Sequence, residues 1–351
     1  MLARDLKSIV KRISPALAGA TVPICDCVHF NEDRMWATNL EATVEVGCDA
    51  SGVVASIPQK ALKALLTSID PKDNVELRSA DGSLVVRTRI GETTLSGLAV
   101  DDVPDTRLTS DIVSSAKIDN DFVDSFQAVA AAASEDQSRQ ILTGVLVEIS
   151  DGIIGLTATD SYRLHHDELP ASTDGDAKVV CPAAYMKALP GKEPVAVDLT
   201  ENQVRFSEGS VTVTVRTIDG EFPNYPQLRP ASTPNEAVLG GRLRSVERTL
   251  KAFERLAAKA GSSLPTVLDF SSGEGTLQVS LNLTDVGEHR CELALDSYAG
   301  ESLSVAFNPG FLRQAIAFGG MRIGMADALK PAILTGSNDA RYALLMPVRL
   351  N

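Results

Sequence analysis

The side chains that usually carry enzyme chemistry are present in this sequence, but their spacing does not favour catalysis. Asp101, Asp102 and Asp160 are the carboxylates that a metal-dependent nuclease would use, yet all three stand in turn-like stretches. Asp is common in turns because its side chain bonds the backbone. The sequence also contains neither a G-x-x-x-x-G-K-[ST] phosphate loop nor a G-x-S-x-G nucleophile elbow. A nuclease therefore stays an alternative only, and we predict no catalytic residue.

Histidine and cysteine offer no better metal site. His165 and His166 are adjacent, so in a strand they would point to opposite faces. The five cysteines are scattered, and Cys25 and Cys27 have no second pair at ligand spacing. An odd, scattered set also argues against disulfides and favours a reducing cytosol. We predict a cytoplasmic protein that holds no metal and no cofactor.

Cations, in contrast, are arranged to bind a polyanion. The chain is acidic, with 46 Asp and Glu against 33 Lys and Arg and a formal net charge of −13. Within the stretch 239–261, however, cations recur every three or four residues at Arg244, Arg248, Lys251, Arg255 and Lys259. Helical periodicity puts them opposite an apolar stripe of Leu243, Val246, Leu250, Phe253 and Ala257. A solvated helix face is the alternative interpretation of this pattern.

Other helices are predicted at regular places along the chain. Apolar periodicity and start signals predict them over Asp5–Leu17, from Pro58, over 118–134, from Pro182, over 239–261 and from Asn308. Short strand-like runs separated by turn residues lie between them. No apolar run approaches the roughly 20 residues that span a bilayer, and the amphipathic N-terminus lacks the apolar core of a secretory signal. We predict no membrane association.

The spacing of these helices indicates an internal repeat. First helices begin their apolar stripes at Leu6, Phe122 and Leu243, and second helices begin at Pro58, Pro182 and Asn308, so both sets recur about every 120 residues. Such a period indicates domain duplication, because solenoid repeats are much shorter. Each repeat combines two helices with antiparallel strands, which is the α+β class. We predict three similar domains, with boundaries at 1–113, 114–234 and 235–351.

Several motifs resemble the bacterial DNA polymerase III beta subunit family, the β sliding clamps. The pieces Leu142-Thr143-Gly144 and TATDSYRL at 157–164 resemble the family's L-x-G and A-T-D-x-x-R-L motifs. The stretch DGEFPNY at 219–225 resembles D-G-x-F-P-x-Y, and Phe307-Asn308 and LMPVRL at 345–350 resemble the third domain and C-terminus. The motifs stand in the family's order, covering the second and third repeats closely and the first loosely.

The resemblance implies a DNA polymerase processivity factor rather than an enzyme. Two chains would close into a homodimeric ring around double-stranded DNA, with helices lining the hole. DNA polymerase and clamp-loader subunits would dock short peptide motifs in a groove between the second and third domains. The residues that the resemblance assigns to this groove are Leu142, Thr159, Ser161, Tyr162, Arg163, Leu164, Pro223, Leu228, Asn308, Phe311, Met346, Pro347, Val348, Arg349 and Leu350.

Cations near the predicted helices are the candidates for DNA contact. Without a base-reading device they would attract phosphates regardless of sequence. The candidates are Lys7, Lys11, Lys63, Arg139, Lys187, Arg244, Arg248, Lys251, Arg255 and Arg313. For Lys7, Lys11 and Lys63 taken alone, a solvated helix face is an equally good interpretation.

A second alternative is a clamp-like paralogue or decoy that binds peptides without closing a ring. The resemblance places the contact between subunits near Ala258 and Lys259, where one residue is small and the other charged. We therefore expect a dimer that depends on strand-to-strand pairing and on contacts that salt weakens.

Overall fold

The protein folds into two compact units. A computed structural model describes residues 1–17, 22–50, 52–99, 103, 110–119, 121–259, 265–271, 275–283 and 287–349. Unit 1 consists of Met1–Gln127, Val147–Ile154 and Leu169–Asp219. Unit 2 consists of Ala128–Leu146, Gly155–Glu168 and Gly220–Asn351. The candidate nuclease carboxylates Asp101 and Asp102 and the candidate groove residue Leu350 lie outside the described residues.

Most of the predicted helices are confirmed. They are α1 Ala3–Ile13, α2 Gln59–Ser68, α3 Phe122–Ala130, α4 Leu243–Lys259 and α5 Pro309–Gly319. The first helix continues as a 3-10 turn over Ser14–Leu17, because Pro15 has no backbone N–H to extend the α-helical ladder. The Asn308 side chain caps α5 by accepting from the N–H groups of Gly310 and Phe311 at 2.9 and 3.1 Å.

The helix predicted from Pro182 is wrong. A strand runs up to Pro182, and only a single 3-10 turn follows, over Tyr185–Ala188. Pro190 disfavours the helical conformation at Leu189, which is extended with φ −71° and ψ 143°. The segment between the two prolines is too short for a stable helix, since isolated helices need about 12–15 residues.

Antiparallel strands make up most of the remaining chain. Up to Asp174 they are β1 Cys27–Asn31, β2 Arg34–Thr38, β3 Ala42–Gly47, β4 Val54–Pro58, β5 Glu76–Ala80, β6 Ser83–Thr88, β7 Gly91–Leu95, β8 Ser114–Ile118, β9 Gly144–Ser150, β10 Ile153–Thr159 and β11 Arg163–Asp174. After it they are β12 Ala177–Pro182, β13 Val195–Leu199, β14 Gln203–Glu208, β15 Val211–Arg216, β16 Asn235–Val238, β17 Thr266–Phe270, β18 Thr276–Leu283, β19 Gly287–Ala294, β20 Ser297–Ala299, β21 Leu303–Phe307, β22 Arg322–Met325, β23 Ala332–Thr335 and β24 Tyr342–Leu345.

Each unit contains one long antiparallel sheet and one smaller sheet. In unit 1 the long sheet has the order β4-β1-β2-β3-β15-β14-β13-β8-β11, where β11 joins through its C-terminal half. The smaller sheet is β5-β6-β7. In unit 2 the long sheet has the order β11-β24-β23-β22-β16-β20, and the smaller one is β19-β18-β17-β21. Helices combined with antiparallel sheets confirm the α+β class.

One turn in unit 1 has a close counterpart in unit 2, described below. Leu40 has a positive φ of 75°, and its N–H donates to the Thr38 hydroxyl at 3.1 Å. The Asn39 side-chain oxygen accepts from the N–H groups of Glu41 and Ala42 at 3.2 and 2.8 Å. Because these bonds replace ordinary ladder bonds, they hold a large side chain in a backbone region that usually costs about 1–2 kcal/mol.

Two negative findings apply to the described residues. None of their helices is long and apolar enough to cross a membrane. They also contain no cluster of three or more His, Cys, Asp or Glu side chains that could hold a metal ion.

Candidate functional site

The counterpart turn, in unit 2, forms one side of the candidate groove. Ser161 has a φ of 80°, and its N–H donates to the Thr159 hydroxyl at 3.1 Å. Oδ1 of Asp160 accepts from the N–H groups of Tyr162 and Arg163 at 2.9 and 3.0 Å. The turn therefore repeats the bonds that Thr38 and Asn39 make in unit 1. Asp160, a candidate nuclease carboxylate, serves here as a turn residue.

Arg163 links the turn to helix α5. Its Nε donates to Oδ2 of Asp160 at 3.1 Å, and its Nη1 donates to Oε1 of Gln314. The guanidinium lies over the Phe311 ring, 4.3 Å from the ring centroid. Burial lowers the pKa of the Arg163 guanidinium, and the adjacent Asp160 carboxylate opposes that shift. Arg163 thus remains a paired cation in the wall of the groove rather than a free one.

The floor of the groove is apolar and aromatic. Pairing of β11 with β24 places Leu164 opposite Leu344. Leu164, Leu344 and Tyr342 form a buried cluster, against which Tyr225 and Ile333 pack. Tyr342 and Leu344 share one face of β24, because side chains two apart in a strand point the same way.

The chain after β24 forms the rim. The Met346 N–H donates to the Tyr162 carbonyl at 2.8 Å, and the Val348 N–H donates to the Ala306 carbonyl at 2.7 Å. These bonds hold the tail in place, yet Tyr162 is 62% exposed, Met346 40% and Leu228 47%. Large apolar side chains fixed at the surface beside a buried apolar floor make a surface suited to the apolar anchors of a peptide.

The structure brings most of the predicted groove residues together, in different roles. Thr159 and Leu164 are buried in the turn and floor, Leu142 is buried, and Asn308 caps the helix that carries Phe311. The exposed members are Ser161, Tyr162, Pro223, Leu228, Met346, Val348 and Arg349, while Pro347 is half-buried.

Sequence reasoning missed several residues of the groove. Tyr342, Leu344, Tyr225, Ile333 and Gln314 contribute to its floor and wall. Once Met346 is assigned to the groove, the alternation of side chains along β24 predicts that Tyr342 and Leu344 face it too. Gln314 follows Phe311 by three residues and therefore lies on the same helix face. Tyr225 is the last residue of the motif at 219–225, which could have pointed to it. No sequence signal pointed to Ile333, because packing between separate elements brings it to the cluster.

A buried histidine lies directly behind this groove. His165 follows Leu164 on β11, stacks on Phe318 at 4.2 Å and bonds the Ala128 carbonyl through Nδ1 at 2.9 Å. Burial lowers its pKa to about 4; Arg163 and Arg341 lower it further and the bond to Ala128 opposes the shift. His165 is therefore a neutral core residue at pH 7, not a metal ligand or a general base.

The predicted basic face on α4 is exposed. Val246, Leu250 and Phe253 are buried, as the stripe predicted, while the Ala257 side chain lies outside the described part. The cations on the other side are all exposed: Arg244, Arg248, Lys251, Arg255 and Lys259. Among described residues none of them has an acidic side chain within 4 Å, the limit for an ion pair.

Most of the remaining candidate cations already have an ion-pair or hydrogen-bond partner. Arg313 on α5 is paired with Glu254 at 2.7 Å, and Arg139 is paired with Asp136 at 3.3 Å. In unit 1, Lys7 donates to the Ile69 carbonyl at 2.7 Å and Lys63 to the Gln59 side chain at 2.6 Å. Lys11 and Lys187 are exposed.

Comparison with known proteins gives one consistent match. The central part of the chain, residues 118–224, matches the family model described as DNA polymerase III beta subunit, central domain. The beta sliding clamp of Chlamydia muridarum is 24% identical over 368 residues, which cover 99% of this chain and 97% of that protein.

Solved structures agree at the level of the fold. A putative DNA polymerase III beta subunit from Eubacterium rectale has a TM-score of 0.87 at 17% identity, covering 99% of this chain and 98% of that one. The sliding clamp of Pseudomonas aeruginosa bound to griselimycin has a TM-score of 0.86 at 20% identity, covering 100% and 98%.

Proposed function

Because this chain belongs to the DNA polymerase III beta subunit family, we propose that it is a sliding clamp and acts as a DNA polymerase processivity factor. It would encircle double-stranded DNA and tether a polymerase, without catalysing a reaction. Its work would then be done where DNA is copied, in the cytoplasm.

The observation that carries this proposal is the unpaired basic face of α4. Elsewhere in the described chain, arginines commonly stand beside a carboxylate, such as Arg205 with Asp198 and Arg34 with Glu45. On α4, Arg244, Arg248 and Lys251 are exposed without such a partner, although the chain has a net charge of −13. Unneutralised cations in a row attract phosphates and release counterions, and they hold no fixed register on DNA.

The groove of unit 2 supplies the tether. Exposed Tyr162 and Met346 lie beside a buried apolar floor, and Leu228 is exposed in the turn that carries Tyr225. We propose that a short peptide of a polymerase or clamp-loader subunit inserts its large apolar side chains here. Burial would then stabilise the complex by roughly 25 cal/mol per Å² of apolar area. In support, the clamp of P. aeruginosa has been solved with griselimycin bound.

Ring closure and the domain division are further parts of the proposal. Three domains at 1–113, 114–234 and 235–351 follow the sequence repeat. The strands β7 and β19 each lie at the edge of a small sheet. We propose that β7 of one subunit pairs with β19 of the other, since unpaired edges seek a partner strand. Exposed Glu92, Glu288, Arg290 and Glu292 on these strands would make the contact sensitive to salt.

Neutralising the basic face tests the DNA-binding part of the proposal. The triple variant Arg244→Gln, Arg248→Gln and Lys251→Gln should fold normally, because these side chains lie opposite the buried stripe. Its DNA affinity should fall, and the slope of log affinity against log salt should become shallower by roughly 0.9 for each phosphate that the protein no longer neutralises.

A matched control keeps the change in net charge equal. Lys178→Gln, Arg322→Gln and Lys330→Gln remove three cations that already stand beside acidic side chains and lie outside the proposed subunit contact. This control should keep the wild-type salt slope. Equal slopes for wild type and the α4 variant would mean that the basic face is only solvated. Incubating the protein with DNA and Mg²⁺ also tests the nuclease alternative, which predicts cleavage.

A further inference from the structure

At one end of the candidate groove of unit 2 lies a cation, Arg229, to which no function has been assigned above. Arg229 follows the 3-10 turn Tyr225–Leu228, and its N–H donates to the Pro226 carbonyl at 3.3 Å. Its guanidinium lies over the Tyr342 ring, 5.0 Å from the ring centroid. Tyr342 belongs to the apolar floor. Arg229 therefore covers one end of the floor with a positive charge.

Three other arginines of unit 2 near the groove have an acidic partner, which Arg229 lacks among the residues that the structure describes. Arg163 is paired with Asp160 at 3.1 Å, Arg341 with Asp167 at 3.2 Å and Arg139 with Asp136 at 3.3 Å. In the described part of the chain no acidic side chain lies within 4 Å of the Arg229 guanidinium, which is also exposed. An arginine stacked on an aromatic ring keeps its edge N–H groups free to bond a carboxylate.

The strand gives the distance between this cation and the apolar rim. Tyr342 and Met346 are four residues apart along β24 and its continuation, which corresponds to about 13 Å in an extended chain. Leu344 lies between them on the same face. An extended peptide whose apolar anchor contacts Met346 would thus place a residue about four positions away beside Arg229.

We propose that the peptide bound in this groove carries an Asp or Glu side chain at the end beside Arg229, in addition to its apolar anchors. This inference rests on the proposed peptide-binding function and adds the chemistry of a flanking position. The acidic side chain would supply the carboxylate that the Arg229 guanidinium lacks in the free protein. Floor and rim would give affinity, and Arg229 would select acidic over neutral peptides.

Paired synthetic peptides test the proposal. Each peptide contains one Gln, one Leu and one Phe, is amidated at its C-terminus to remove the terminal carboxylate, and carries one Asp or one Asn. In successive peptide pairs, the Asp or Asn stands at each position three to five residues from the apolar anchors, on either side of them. Wild type should bind the Asp form about two- to fivefold more tightly at one of these positions, the range expected for an exposed ion pair.

Variants of Arg229 test whether this side chain causes the preference for the Asp peptide. Arg229→Gln should abolish the preference, so that the Asp and Asn peptides bind equally, while Arg229→Lys should retain part of the preference because the charge remains. The control Arg78→Gln removes an exposed arginine from unit 1 and should behave as wild type. An Asp preference that survives in Arg229→Gln, or no preference at any position in wild type, would overturn the proposal.

Met346→Ala separates this inference from the function on which it rests. If the groove is the binding site, Met346→Ala should weaken the Asp and Asn peptides equally. If wild type binds neither peptide, the peptide-binding function fails. If wild type binds both equally and Met346→Ala weakens both, only the role of Arg229 fails.

Discussion

The surroundings of the charged side chains in unit 2 distinguish partly buried ones that are paired from the exposed ones on α4. The partly buried Arg163 is held by Asp160, and Arg341 by the buried Asp167, because an unpaired charge away from water is costly. Exposed cations on α4 need no such partner and keep their charge available. Burial and pairing therefore distinguish cations that stabilise the fold from those that can meet a phosphate, which sequence spacing alone cannot do for Arg313 or Arg139.

His165 gives a pH prediction at this scale. Its folded pKa of about 4 lies below the ordinary value of 6.5, so between these values the unfolded chain binds a proton that the folded chain does not. The free energy of unfolding should consequently fall as pH drops from 6.5 to 4, by up to about 1.4 kcal/mol per pH unit for this group.

The variant His165→Asn should flatten that dependence. Asn retains an amide donor for the Ala128 carbonyl and has no proton to gain. Urea unfolding at several values between pH 4 and 7 measures the slope. His29 provides a parallel test. Burial also lowers its pKa to about 4, so its replacement should flatten the curve by a similar amount. An unchanged slope in His165→Asn would show that this imidazole does not titrate in the folded protein as described.

At the scale of elements, one kind of turn occurs in both units. The same pattern of side-chain bonds holds Thr38 to Ala42 in unit 1 and Thr159 to Arg163 in unit 2. The two turns differ in what lies against them. In unit 1 the Asn39 amide donates to the Tyr185 hydroxyl at 3.0 Å, and Tyr185 is buried. In unit 2 the neighbouring side chains Tyr162 and Met346 are exposed instead.

Asp160 can be tested with a substitution that the chain itself suggests. Asn39 occupies the equivalent position in unit 1, so Asp160→Asn should keep the turn and lose only the charge beside Arg163. Asp160→Ala should lose both, at a cost of about 1–3 kcal/mol in unfolding free energy because two backbone N–H groups lose their acceptor. Denaturant unfolding measures this. Equal stability of the two variants would contradict the turn-forming role.

Elements also show what the sequence could predict. Helices α4 and α5 follow from apolar periodicity and from capping by Asn308, because local signals determine both. The missing helix after Pro182 shows the limit, since Pro190 restricts the chain only a few residues later. Most exposed groove residues were found through the motif at 157–164 and the tail. Ile333 and Arg229 were not, because contacts between distant segments place them.

At the scale of the whole molecule, a sliding clamp requires two chains to close into a ring. Edge strands β7 and β19 carry exposed charges, so the stability of the dimer should depend on the salt concentration. Mass measured in solution over a salt series would detect this. A clamp-like paralogue without a ring would instead remain monomeric at micromolar concentration, whatever the salt.

Topological retention on DNA tests the central claim most directly. The protein is loaded onto a nicked circular plasmid by the ATP-dependent clamp loader of its own source. It is separated from free protein at the highest salt at which its mass in solution is still that of a dimer, and half of the sample is then linearised. The account predicts that protein stays with the circle, where phosphate attraction is screened, and is lost from the linear DNA by sliding off its ends. Equal retention on both forms, or none on the circle, would contradict a closed clamp.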